Sequence, residues 1–167
     1  MSAPLPPFQA FLDEHSTDVW RFLVATVGRQ DAEDCYQETL IAALRAYPRL
    51  GSAREKHNLR AWVLTIAHRK ALDAHRASSR RAVPVGDPAE HEQDVARAGS
   101  QGDPAETDEE LWGAVRELPE RQRSAVVLRF VGDLSHRDIG AALECSEEAA
   151  RRSLHEGLKK LREAVPA

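Results

Sequence analysis

Trp62, Arg69, Arg76 and Arg80 stand seven, seven and four residues apart in the stretch LRAWVLTIAHRKALDAHRASSRR, residues 59–81. At about 100° per residue, those separations place one indole and three guanidiniums along a single flank of a helix. Arginine stacks on aromatic and base π-faces and pairs with phosphate, so such a flank suits single-stranded nucleic acid. Leu59, Trp62, Val63 and Ile66 form the apolar stripe that would seat the same helix on a core. A basic helix end that is only solvated is the plainer account of the same residues, with Lys70 and Asp73 spaced for a local ion pair. The stretch by itself leaves both open.

A second basic array lies near the C-terminus. Ser135, with Asp138 three residues on, begins a short helix carrying Ile139, Ala142 and Leu143 inward, and Glu144 and Cys145 turn the chain. Ser146 then caps a helix with Ala150, Leu154, Leu158 and Leu161 on one side and Arg151, Arg152, His155, Lys159 and Arg162 on the other. Two short helices on a tight turn, the second presenting cations outward, form the helix-turn-helix pattern. In the major groove, Arg151, Arg152 and His155 would reach base edges and Lys159 and Arg162 phosphates. A plain helical hairpin shares the bare periodicity.

The elements that position these arrays are also helical. Phe8, Phe11, Leu12, Val19, Phe22, Leu23 and Val27 predict one or two helices over 7–28. Gly28 stops them, and Asp31 restarts the chain as an N-cap for a helix running to about Tyr47, where Pro48 forbids continuation. That helix buries Ala32, Tyr36, Leu40, Ala43 and Tyr47 and shows Asp34, Gln37 and Glu38 beside an exposed Ile41, a compact acidic patch. Glu109–Glu117 and Glu120–Val131 add two more, the latter with Val126, Val127 and Phe130 inward.

Charge divides the chain more sharply than its net −4 suggests. Residues 51–81 hold eight Lys/Arg against Glu55 and Asp73, whereas residues 82–110 hold nine Asp/Glu against Arg97 alone. Residues 82–108 break every periodic pattern with Pro, Gly and Ser and read as a flexible acidic linker. The expectation is an all-α protein of two small helical domains, 1–81 and 109–167, on that linker. Thirty per cent charged residues and nine aromatics fit a charge-covered helical protein.

No eighteen-residue apolar run and no basic-plus-apolar N-terminus appears, so neither a membrane span nor a signal peptide is expected, and the location is cytoplasmic. Cys35 and Cys145 lie in apolar helical patterns and read as buried free thiols. His68, His75 and His155 read as surface or DNA-facing groups. No HExxH, GxSxG, phosphate-cradling glycine loop or ligand cluster is present, so no catalytic residue, cofactor or metal is expected.

Taken in order, DAEDCYQETLIAALRAY (31–47), LRAWVLTIAHRKALDAHRASSRR (59–81) and LPERQRSAVVLRFVGDLSHRDIGAALECS (118–146) resemble the bacterial extracytoplasmic-function sigma factors. The resemblance covers nearly all of the chain outside the linker. It implies two helical domains that bind core RNA polymerase and direct promoter recognition and DNA melting, under the control of an anti-sigma factor. On this resemblance Asp34, Gln37, Glu38 and Ile41 fall on the polymerase-binding helix. Trp62, Arg69, Arg76 and Arg80 fall where the family holds the melted minus-ten strand. Ser146 to Arg162, with Arg151, Arg152, His155 and Lys159, matches the minus-thirty-five recognition helix. The linker matches the connector threaded through the polymerase's nucleic-acid channel.

Two departures stand out. The family usually carries Asn after Ile-Ala-x, where this chain reads Ile66-Ala67-His68-Arg69, and a guanidinium cannot copy an amide's paired donor and acceptor. In place of Gly-Thr-Val-Lys-Ser-Arg the chain reads Glu148-Ala149-Ala150-Arg151-Arg152-Ser153. Alternatives of other classes are a helix-turn-helix regulator that never engages polymerase and a degenerate sigma-like protein that titrates an anti-sigma factor. Ala149 and Ser153 cannot bind phosphate as the Thr and Arg of that motif can, and a cationic contact missing at Ser153 lowers the salt slope of DNA binding by about one unit. Filter binding of fragment 109–167 across a salt series should give a shallower slope than the family's usual motif; an equally steep one contradicts the expectation.

Overall fold

The computed structural model describes residues 4–52, 58–81 and 107–165. Its elements are α1 (Phe8–Val27), α2 (Arg29–Ala46), a 3-10 turn (Tyr47–Ser52), α3 (Leu59–Arg81), α4 (Thr107–Glu117), α5 (Glu120–Phe130), α6 (His136–Ala142) and α7 (Glu147–Ala164). Among the described residues there is no strand. The all-α expectation holds. The linker lies outside the described residues except at its end, where helix α4 begins at Thr107, two residues before the expected boundary.

α1, α2 and α3 pack on one another around Phe11, Val19, Phe22 and Leu23 of α1, Ala32 and Ala43 of α2, and Val63, Leu64 and Ala67 of α3. Burial of each of the larger side chains contributes about 1.5–3 kcal/mol. The buried hydroxyls of Thr26 and Thr39 donate to the carbonyls of Phe22 and Cys35, both at 2.6 Å, so neither is left unpaired. Cys35 is buried, and desolvation, with Glu38, Asp31 and Asp34 nearby, pushes its thiol up to about 11. It is inert as a nucleophile, and Cys145 is only half-buried, not buried as expected.

α1 turns into α2 through Gly28 alone. Its φ of 83° lies in the region that glycine enters without a Cβ penalty, and its carbonyl already accepts the Ala32 N–H at 3.1 Å. The new helix therefore starts at Arg29, and Asp31 sits exposed in the first turn instead of capping it. α3 has a cap that its own periodicity does not announce, with the Asn58 side chain accepting the Ala61 N–H at 3.2 Å.

The C-terminal helices enclose α5. Residues Arg123 through Leu128 are all buried, because α7, α6, α1 and α4 all pack against the helix. Phe130, expected inward, lies past that enclosure and is 63% exposed. Ser135 and Ser146 cap α6 and α7 as predicted, each accepting a backbone N–H at 3.1 Å, from Asp138 and Ala149. The turn between them closes tightly, with the Cys145 N–H on the Gly140 carbonyl at 2.9 Å and Glu144 at a φ of 55°.

α5 and α7 touch at Gly157, where an added Cβ would meet Val126 Cγ2 at 2.9 Å and the Gln122 carbonyl at 3.3 Å. Val126 is buried and cannot swing away. Gly157→Ala should therefore lower stability by about 1–2 kcal/mol, the overpacking cost less the gain in helix propensity. Urea denaturation would show this as a lower midpoint at unchanged slope.

Candidate nucleic-acid interface

Helix α3 separates its residues by face. Val63, Leu64, Ala67, His68 and Ala71 point into the protein, and Arg69, Arg76 and Arg80 stand exposed. The ring of Trp62 shares their surface only in part. It is half-buried, with its centroid 5.8 Å from Phe11 and 6.2 Å from Tyr47, in a cluster that also takes in Phe8. Tyr47 anchors the cluster by donating its hydroxyl to the Pro6 carbonyl at 2.7 Å. An indole near the apolar stripe gains more from ring packing than from solvent. The exposed flank is cationic, and Trp62 packs partly beneath it. Lys70 and Asp73 form no ion pair with each other.

The acidic patch on α2 is as the spacing predicted, with Asp34, Gln37, Glu38 and Ile41 exposed together. The structure adds Leu44 to it. Ile41 is 49% and Leu44 54% exposed, half of the four large hydrophobics left open among the described residues. Exposed apolar side chains beside carboxylates give this face a mixed acidic and apolar character.

On α7 the side chains of Arg151, Arg152, His155, Lys159 and Arg162 are exposed, opposite buried Ala150, Leu154, Gly157 and Leu161. Leu158 is only half-buried. Arg151 is held by Glu147 at 3.1 Å, a surface pair worth about 0–1 kcal/mol that a phosphate can displace. Ser146 uses its hydroxyl oxygen as the helix cap, so its first duty is structural.

The two helix groups also meet each other. Arg60 of α3 reaches Asp18 of α1 at 3.4 Å and the Val131 carbonyl just past α5, also at 3.4 Å. Leu64 is fully buried against Gly132, where a Cβ would approach its Cδ1 to 2.9 Å. Arg69, on the basic flank, lies 3.9 Å from Glu144 in the helix-turn-helix turn. His68 is 4% exposed at this junction, not the surface or DNA-facing group that its sequence suggests. Desolvation first, with Arg69 and Arg123 adding to it and Glu120 opposing, lowers its pKa from 6.5 to about 4. Burial by a second helix group is invisible in the periodicity of one helix.

Residues 11–81 match the family model for Sigma-70 region 2, and residues 108–161 match Sigma-70, region 4. The ECF RNA polymerase sigma factor SigX of Bacillus subtilis is 30% identical over 162 residues, covering 93% of this chain and 81% of SigX. This chain belongs to the ECF RNA polymerase sigma factors. ECF RNA polymerase sigma factor SigD of Mycobacterium tuberculosis is 33% identical over 152 residues, covering 88% of this chain and 70% of SigD. Among solved structures, the sigma factor RpoE in complex with the anti-sigma factor NepR from Bartonella quintana shares the fold of this sigma factor. Its TM-score is 0.78 at 22% identity, over 94% of this chain and 95% of RpoE. CnrH in complex with the cytosolic domain of CnrY follows at a TM-score of 0.62 and 20% identity, over 93% and 85% of the two chains. Among the described residues of this sigma factor, no helix is long and apolar enough to cross a membrane.

The buried His68 makes the fold acid-sensitive. Its pKa is depressed in the folded state, so below about 6.5 the unfolded chain takes up a proton that the folded chain refuses. Stability should fall from about pH 6.5 to about pH 4 and level off below, by up to about 3 kcal/mol from this group. His68→Gln should flatten that part of the profile in urea titrations at successive pH values; an unchanged slope would show that His68 is not the buried group.

Proposed function

We propose that this sigma factor divides its work among three exposed helix faces, acting by binding and without catalytic chemistry of its own. The acidic face of α2, Asp34, Gln37 and Glu38 around Ile41 and Leu44, docks on core RNA polymerase. Arg69, Arg76 and Arg80 of α3 hold the melted strand of the minus-ten element. Arg151, Arg152, His155, Lys159 and Arg162 of α7 read the minus-thirty-five element. The observation that carries this division is the opposite sign of neighbouring helices in one bundle: α2 presents carboxylates and α3 guanidiniums, each to solvent. One face repels DNA and the other attracts it.

Trp62 supports the minus-ten face as a positioning residue through its packing on Phe11 and Tyr47. Opening a duplex costs a few kcal/mol per unstacked base, which contacts to the freed strand must offset. Exposed arginines without a described carboxylate partner, such as Arg76 and Arg80, are free to make those contacts.

The docked arrangement of the two helix groups is a state that must open. Elements named for positions minus ten and minus thirty-five are some 25 base pairs apart, about 85 Å at 3.4 Å per step. With Arg69 3.9 Å from Glu144 and α7 only 18 residues, or about 27 Å, long, the docked form cannot reach both. Residues 82–106 are enough chain, at about 3.4 Å each, to allow separation by about 85 Å. The family's anti-sigma complexes, RpoE with NepR and CnrH with CnrY, support an anti-sigma factor as a further partner. The site of action is the cytoplasm, where polymerase and promoter are.

Run-off transcription with purified core polymerase on a matched promoter tests the division. Arg76→Ala with Arg80→Ala should leave polymerase binding intact and abolish permanganate reactivity at the minus-ten element. Asp34→Lys with Glu38→Lys should lose polymerase co-purification while the chain stays folded. A normal bubble in the first variant removes the melting role; retained co-purification in the second removes the docking role.

A further inference from the structure

We propose that the cleft between the two helix groups is a binding site for a small phosphate-class oxyanion, whose occupancy holds the groups together. The proposal rests on the docked arrangement described above. The cleft is lined by Thr26 and Asp31 at the α1–α2 junction, His75 and Ser78 of α3, Arg116 of α4 and Arg123 of α5.

Arg123 carries the argument. It is 7% exposed, its Nη1 donates to the Arg116 carbonyl at 2.9 Å, and its Nε is buried with no partner. Among the described residues it forms no ion pair. An arginine cannot shed its proton to escape such a place, so a buried guanidinium without a counterion is a standing cost in the unliganded protein. Burial works against its charged form and the field of Glu120 favours it, but Glu120 does not reach it as an ion-pair partner.

The other lining groups suit a tetrahedral oxyanion. Arg116 brings a second guanidinium, half-buried, and His75 and Ser78 stand exposed on the α3 wall as further donors. Guanidiniums pair with phosphate through parallel charge-assisted hydrogen bonds, which chloride cannot reproduce. Thr26 spends its hydroxyl hydrogen on Phe22 and can only accept. Asp31 puts a carboxylate into the same lining, which repels a fully ionised ligand and accepts from one that keeps a proton. The chemistry selects hydrogen phosphate or a phosphate monoester still carrying a hydrogen. Its donors come from α3 on one side and from α4 and α5 on the other, so the ligand binds only while the groups are docked and stabilises that state by mass action.

The full-length chain should be titrated calorimetrically with inorganic phosphate and, separately, with adenosine 5′-monophosphate, at ionic strength held constant with chloride. Saturable binding at one site is expected. Arg116→Gln and Arg123→Met should each weaken it about tenfold, and Asp31→Asn should strengthen binding of the monophosphate mainly at high pH, where that ligand is fully ionised. Equal affinity for both probes supports free phosphate as the ligand; tighter binding of the monophosphate supports a nucleotide source. Arg116 is only half-buried, so its variant keeps the test decisive if Arg123→Met fails to fold. Absence of saturable binding, or an affinity unchanged in Arg116→Gln, overturns the site. Small-angle scattering on the same samples separates the two proposals: a docked chain without binding overturns the oxyanion site alone, and an extended chain without binding overturns the docked arrangement as well.

Discussion

Helix α3 is packed from two directions, by α1 and α2 and by α6 with the turn that follows α5, and the rest of the molecule depends on that double burial. Val63 and Leu64 stand next to each other in sequence, and neither is left to solvent. With so much of its circumference covered, the helix has one cationic strip to offer, and Arg69, Arg76 and Arg80 are on it. The same enclosure buries His68 and draws Trp62 into the aromatic cluster. A change in how α3 is seated would move the basic strip, the buried imidazole and the indole together.

The junction between the two helix groups differs in kind from the packing inside them. Inside α1–α3 the junctions are largely apolar, the buried hydroxyls of Thr26 and Thr39 are paired, and His15 Nδ1 is the one buried side-chain nitrogen without a partner among the described residues away from the junction. Between the groups, Leu64 against Gly132 is accompanied by Arg60, His68, Arg69 and Arg123. Arg60, His68 and Arg123 each keep a buried nitrogen without a hydrogen-bond partner, and Arg69 holds only a long ion pair. Interfaces between domains that separate are more polar than cores, because each face must also tolerate water. The polar groups at this junction are of the kind that tolerates water on each face.

Charge is segregated within the N-terminal bundle as well. The carboxylates of α2 and the guanidiniums of α3 belong to one small bundle, so their separation cannot come from distance. It comes from the rotation of each helix about its own axis, which buries a stripe such as Ala32, Cys35, Thr39 and Ala43 and turns the charges outward. Ile41 and Leu44 add apolar area to the acidic face alone, which favours a protein surface there over DNA.

Whether residues 7–28 form one helix or two was not legible in the sequence, whereas helix type, the serine caps of α6 and α7, the acidic face of α2 and the basic face of α7 were. Each depends on periods of 3.6 residues and on side chains meeting their own backbone a few residues away. The family was legible for a related reason, since its motifs are local strings in order. What tertiary structure decided was everything set by a neighbour distant in the chain: the packing of Trp62, the burial of His68 and Arg123, the exposure of Phe130, and the meeting of Arg69 with Glu144. A helical wheel shows which residues share a face, but it cannot show how many other helices will cover that face. Here α3 and α5 are each covered from more than one side, and those are the helices where periodicity and structure part.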